Sequence, residues 1–464
     1  MHQEMLNFQP KFLMILKTKQ KQLLNLFDIT MIVIGLVIGM GIFRTASDSA
    51  RAAITPSVFF ISWIVGGFIA LCGALTYAEI GSRYPITGGY YKIFATCYHP
   101  SIAFAVNCII LISNAASLSG VALIGSEYLS IDVLKPFFGW EITDLGQSFI
   151  AMGAIVAFYG INLMGLRMSS TTQNILMIIK IGMILLIVAA IFFPSSHVAT
   201  RIAVPQGDFT FMDYVKSFGL ALIAVSFTYG GYQQTINFGD EVKDPQKNLP
   251  RGIFIGIMVI ILLYLSVSYA YYNVIGFEEL KTTKGIAAIV AERMFGPAGK
   301  FAFSILLFIA VLAYVNVLLL SNPRVMFAMS EDGILPKSFS KKDEKRDVLT
   351  VSLTVYALIS VVVLFFADTF DKILGFTIFL DSIGMAFSAA TIFIIRKRTK
   401  HLAKSQIYSM KFFPVMPVIF ISAYVFVATS IAIDKPETAL IATAVLASFL
   451  IIYFVTRKKK PQHV

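Results

Sequence analysis

Long apolar runs separated by short polar stretches recur along the whole chain. Each is about twenty residues or more, enough to cross roughly 30 Å of hydrocarbon at the 1.5 Å rise of an α-helix. They fall at about 28–48, 57–81, 100–126, 148–166, 172–193, 213–239, 251–275, 299–329, 348–367, 371–395, 412–433 and 436–456. The runs are uniformly apolar and lack the alternation that a lumen-facing β-barrel strand requires. The pattern predicts an all-α polytopic membrane protein with twelve transmembrane helices.

Two of these spans carry glycines where a continuous helix has least use for them. The first contains Gly35, Gly39 and Gly41 within Ile34–Phe43, and the sixth contains Gly230-Gly231 within Ser226–Gln234. Glycine lets the backbone leave the helical ladder, and the freed N–H and C=O groups are tolerable in a membrane only where they line a protein cavity. Gly35-x-x-x-Gly39 alone also suits a small-residue packing face. The third glycine and the matching break five spans later favour a binding site. An odd offset makes one broken span run outward and the other inward, so the pattern predicts inverted repeats. The expected organisation is a cytoplasmic N-terminal segment 1–27, a five-helix repeat 28–193, its inverted partner 213–395, two further helices in 412–456 and a basic cytoplasmic tail 457–464.

Composition sharpens this picture. With 57% apolar and 14% charged residues and a mean hydropathy of +0.78, the chain reads as one lipid-embedded unit. The formal charge of +12 does not require a nucleic acid. Most Lys and Arg lie in the N-terminal segment, the even-numbered loops and the tail Arg457 to Lys460, which places both termini in the cytoplasm of a cell membrane and suits the tail to anionic lipid. The first 27 residues lack the pattern of a cleaved signal peptide.

Candidate chemistry is sparse. Cys72, Cys97 and Cys108 lie in or beside spans and read as packing residues, and the outer loop between the third and fourth spans has no cysteine, so no disulfide-linked accessory subunit is expected. His2, His99, His197, His401 and His463 are scattered among termini and loops. No metal site and no enzyme active site is therefore expected.

At the broken spans and around them the sequence resembles the amino acid–polyamine–organocation (APC) superfamily, and most of all its L-type amino acid transporter branch. The resemblance rests on Gly35 to Phe43, Phe227 to Gln233, Tyr77-Ala78-Glu79-Ile80-Gly81 through Gly88-Gly89-Tyr90-Tyr91, Asp240-Glu241-Val242-Lys243-Asp244-Pro245 through Pro250-Arg251, and Arg324 through Asp332-Gly333-Ile334-Leu335-Pro336. It covers about residues 25–400. It implies a LeuT-type 5+5 inverted-repeat fold with two extra C-terminal helices. It also implies secondary transport of an amino acid by alternating access, through exchange or proton symport, without a cofactor.

The resemblance further implies a substrate site made of Val37, Gly39, Met40, Gly41, Phe227, Thr228, Tyr229, Gly230 and Gly231. The carboxylate would meet the amides of Met40 and Gly41, and the ammonium the carbonyls of Val37 and of residues around Phe227 and Gly230. This matches the dipoles at half-helix ends, positive at an N-terminus and negative at a C-terminus. Met40 stands where the family usually has Ser. Phe227 matches the aromatic that gates the site from outside, and Asn107, Asn114, Gln233 and Asn316 are polar candidates for the pocket.

Lys180 lies roughly 12 Å inside the fifth span, where a cation needs a partner. That makes it a candidate proton or conformational switch, and the resemblance implies that it occupies the place of a sodium ion in sodium-coupled relatives and bridges the first, fifth and eighth spans. Glu79, Asp240, Glu241 and Arg324 lie at cytoplasmic ends, as inner-gate ion pairs or as solvated interfacial charges. No unpaired acidic residue is expected at mid-span beside the broken helices. That favours a neutral amino acid over a basic amino acid or polyamine.

Overall fold

Asn25 starts the first helix. Its side-chain oxygen accepts from the N–H groups of Phe27 at 2.8 Å and Asp28 at 3.1 Å, while the Asp28 carboxylate accepts from the Asn25 N–H at 3.0 Å. This reciprocal cap satisfies amides that a helix start leaves without partners. In the computed structural model, which describes residues 23–39, 41–192, 209–283, 285–366, 370–401 and 407–456, helix α1 spans Leu26–Val37 and α2 resumes at Gly41–Ala52. The tail 457–464 and most of the N-terminal segment lie outside the described residues.

The chain continues through α3 Pro56–Arg83, α4 Gly89–Cys97, α5 Pro100–Leu129, α6 Asp144–Leu163 and α7 Leu166–Ala189. After these come α8 Phe211–Tyr229, α9 Pro245–Ile275, α10 Ile286–Glu331, α11 Thr350–Phe366, α12 Phe370–Arg398, α13 Val415–Asp434 and α14 Pro436–Thr456. Among the described residues there are isolated β-bridges, such as Leu24 with Val242, and no strand.

Among the described residues, ten helices are long and apolar enough to cross a membrane. Two of the expected spans fall on shorter apolar helices. The first is divided between α1 and α2, and α11 has 17 residues. The expected span 299–329 is the later part of α10, where Gly296 takes φ +68° just before Pro297 and turns the chain.

Helix α7 shows how the sequence sorts its faces. It exposes Ile175, Ile178, Leu185 and Leu186 outward and buries Gln173, Met177, Lys180, Ile184 and Ile187 inward. The inward positions recur at three- and four-residue steps, one face of a helix. In water the outer face would be an aggregation surface, whereas in lipid it is the stable arrangement.

The halves of the two broken spans pack crosswise. α8 lies against α2, and α1 lies against the short 3-10 helix Tyr232–Asn237 that follows the second break. Around them α3 packs on α9, α9 on α1, α7 on α1 and α10, α5 on α10, and α12 on α13.

Candidate functional site

Helix α1 ends because Ile38 leaves helical geometry at φ −77°, ψ 83°. Its N–H still bonds Ile34 O at 2.7 Å, and the Gly39 N–H turns back onto Val37 O at 2.8 Å. The second break follows Tyr229. Gly230 is extended at φ −70°, ψ 165°, and Gly231 takes φ +113°. Gly231 is required there on two counts: its φ disfavours side chains, and a Cβ would stand 2.1 Å from Leu36 O. The two breaks therefore touch backbone to backbone.

A cleft of about 930 Å³, its solvent-open mouth included, opens at this contact. Val37, Gly39, Gly41 and Thr45 line it from the first broken span, and Ser226, Phe227, Thr228, Gly230, Gly231 and Gln233 from the second. The hydroxyls of Thr45 and Thr228 meet, and Thr45 also donates to Gly41 O at 2.7 Å. A Cβ at Gly41 would meet Thr228 atoms at 2.9 to 3.2 Å, so this glycine admits the opposing helix. The Gln233 side-chain oxygen accepts from the Gly231 N–H at 2.9 Å and closes the second break on itself.

Several expected residues lie elsewhere. Tyr229 is 1% exposed and turned away from the cleft. Its ring packs on Tyr264 at 5.1 Å and Trp63 at 5.9 Å between centroids. Asn107 is buried and donates to Ala103 O at 2.7 Å within its own helix. Asn316 is buried behind the cleft, where it accepts from Asn162 at 2.9 Å and donates to Gln173 Oε1 at 2.9 Å. Of the three asparagines only Asn114 lines the cleft, held by Asn322 at 2.7 Å and Gln234 at 3.2 Å. Met40 lies outside the described residues.

The Val37 carbonyl, expected to take a ligand ammonium, already accepts from Tyr264 at 3.2 Å as well as from Gly39. Lys180 is fully buried and donates to Ile38 O, the next carbonyl along. It sits behind the end of α1 and not on the cleft wall. Two turns away on α7, Gln173 fills the space over Gly35, where a Cβ would lie 2.1 Å from Nε2.

Further wall residues were not among those expected from sequence. Ser117 of α5 and Tyr314 of α10 are hydrogen-bonded to each other at 2.9 Å on the wall, and Tyr314 stacks over Gly39. Tyr424 comes from α13, a helix without a recognisable motif. Asp381 comes from α12 and also lines the cleft. This corrects the expectation that no unpaired acidic residue stands at mid-span beside the broken helices. The signal was available: Asp381 is the charge in the middle of the apolar run 371–395, whose other charges, Asp371 and Lys372, stand at its start, the same sign that singled out Lys180.

At the end of the molecule that carries the Glu79 and Arg324 motifs, Glu79, Glu241 and Arg324 are ion-paired and buried, and Asp240 is half-buried. Glu79 accepts from Arg83 at 2.8 Å, from Arg396 twice at 2.7 Å and from the Met410 N–H at 2.9 Å. Arg324 forks onto Glu241 with bonds of 2.7 to 3.1 Å. Thr87 donates to Asp240. Burial pushes both the Asp240 and Glu241 carboxyls above the usual range, opposed at Asp240 by the Thr87 hydroxyl and at Glu241 by the Arg324 guanidinium.

A family model described as amino acid permease matches residues 24–456. The chain is 26% identical to the serine/threonine exchanger SteT of Bacillus subtilis (strain 168), over 95% of this chain and 98% of that protein. It is 27% identical to the methylthioribose transporter of the same organism, over 87% of each. It is 23% identical to the human large neutral amino acids transporter small subunit 2, over 91% of this chain and 78% of that one.

Proposed function

The chain belongs to the amino acid permease family, and from that premise we propose that it is a multi-pass secondary transporter carrying an amino acid across the cell membrane by alternating access. The observation that carries this reading is the cleft at two helix breaks that touch through Gly231 and Leu36. The relatives' names, an exchanger and a large neutral amino acid transporter subunit among them, agree with it.

The arrangement suits a LeuT-type pair of five-helix repeats, residues 28–193 and 213–395, with α13 and α14 outside the repeat. The first amides of α2 would hold the carboxylate, since a helix start leaves them without intrahelical partners and the dipole favours an anion there. The ammonium would turn to carbonyls at the end of α8, around Phe227 and Gly230, because Val37 O is already occupied. Phe227, half-buried on the wall, would close over the substrate.

Lys180 ties α7 to the end of α1 through Ile38 O and would serve as the coupling residue, releasing or taking a proton as α1 moves. With both termini cytoplasmic, the ion pairs of Glu79 and of Glu241 with Arg324 would close the inner end. Substrate and coupling are tested together by reconstitution. Labelled amino acids are offered to proteoliposomes with and without a pH gradient or internal substrate. Uptake of at least one under some gradient is expected, and absence of transport and binding under every gradient overturns the reading.

A further inference from the structure

Asp381 is a carboxylate in an unusual position. It lies on α12 inside an apolar stretch that crosses the membrane, and it is half-buried at the wall of the cleft. Among the described residues that line the cleft it is the charged one, and it makes no hydrogen bond or ion pair. The other buried carboxylates differ: Glu79 accepts four hydrogen bonds and Glu241 faces Arg324. A charge at this depth without a partner is costly and calls for a mobile counter-ion from the cleft itself.

Charge balance identifies that counter-ion. The two half-helix ends complement the two poles of an amino acid backbone, which as a zwitterion is neutral. A neutral substrate would therefore leave the carboxylate uncompensated with the site filled. A substrate bearing one more positive group would remove the imbalance. Tyr314 and Tyr424 lie on the same walls, and aromatic rings attract cations when water is excluded.

We propose that Asp381 is the counter-ion for a side-chain ammonium or guanidinium, so that the chain carries basic amino acids of net charge +1. This rests on the amino acid transport reading above. The side chain would run from the helix breaks, where its backbone groups are held, across the cleft to α12.

The test is uptake by proteoliposomes of lysine, ornithine and arginine against leucine, serine and threonine, for the unmodified chain, Asp381→Asn and Asp381→Glu. The unmodified chain is expected to favour the basic set, with uptake accelerated by an inside-negative potential. Asp381→Asn should lower the ratio of basic to neutral uptake roughly tenfold or more, and Asp381→Glu should keep much of it. Thermal stabilisation of the detergent-solubilised, unmodified chain should be greater with lysine than with leucine, a readout independent of how the variants fold. Preference for neutral substrates, with the ratio unchanged in Asp381→Asn, overturns the assignment. So does neutral uptake driven by a pH gradient that Asp381→Asn abolishes, since the carboxylate then takes a proton. Transport of no amino acid at all overturns the underlying reading instead, and the two failures are distinct.

Discussion

The Cα of Gly231 faces the carbonyl oxygen of Leu36 so closely that a Cβ would stand 2.1 Å from it. The second break thus seats on the last turn of α1 with no side chain between them. Gly231→Ala should cost about 1–3 kcal/mol from its φ of +113°, with further loss from displacing α1. Gly230→Ala adds a Cβ whose nearest neighbour is Phe227 O at 3.3 Å and should be milder. Melting temperatures of the two purified variants check this, and equal losses would contradict it.

Lys180 and Ile38 O form the tie between α7 and the end of α1. Lys180→Ala should reduce net uptake and flatten its pH dependence while affecting exchange less, if the lysine exchanges a proton during the cycle. Uptake measured across a pH series, against exchange at fixed pH, separates the cases. A profile that keeps its shape shows a lysine that only holds α1 in place.

Glu79 gathers Arg83, Arg396 and the Met410 N–H onto one buried carboxylate. Glu79→Gln leaves two guanidiniums short of their anion and should cost on the order of 3 kcal/mol. It should also raise labelling of cysteines introduced near Arg396, as that end opens. Adding Arg396→Gln to Glu79→Gln should recover part of the stability, and a strictly additive loss would show that the groups do not act as a unit.

Asp240 gives a pH-dependent prediction. Its carboxyl is held above the usual range in the folded chain, chiefly by burial, so its ionisation opposes folding at neutral pH. That unfavourable contribution disappears as pH falls below the unfolded value of about 4. Asp240→Asn keeps an oxygen to accept from Thr87 and mimics the protonated acid. It should therefore raise the melting temperature at pH 7 and leave it nearly unchanged at about pH 3. A gain that does not shrink as pH falls would refute this.

The breaks were legible in the sequence because a third glycine at Gly41 and a glycine pair five spans later outweigh a simple packing face, and the apolar runs located the helices around them. What sequence could not resolve was which side of a helix meets the cleft. Adjacent helical residues point about 100° apart, so Phe227, Thr228 and Tyr229 could not all face one cavity, and Tyr229 turned toward Trp63 and Tyr264. Asn107 and Asn114 share a face, yet they stand about 10 Å apart along the axis, and only one is level with the breaks. Asp381 was visible as a charge but not as a neighbour, since nothing local says that α12 passes beside α1 and α8. The buried pairing of Glu79 with Arg396 is of the same kind, two residues joined across 317 positions of chain.

The fit of Gln173 over Gly35 has a consequence for inheritance. The Gln173 amide occupies the volume that any larger residue at 35 would need, and its other end is fixed by Asn316, so it has little freedom to withdraw. The two positions are coupled, since a Cβ at 35 moves the Gln173 amide and with it the bond from Asn316. A population selected for growth after Gly35→Ala should regain fitness through shorter residues at 173, and lineages that diverge at one of these sites should carry the compensating change at the other.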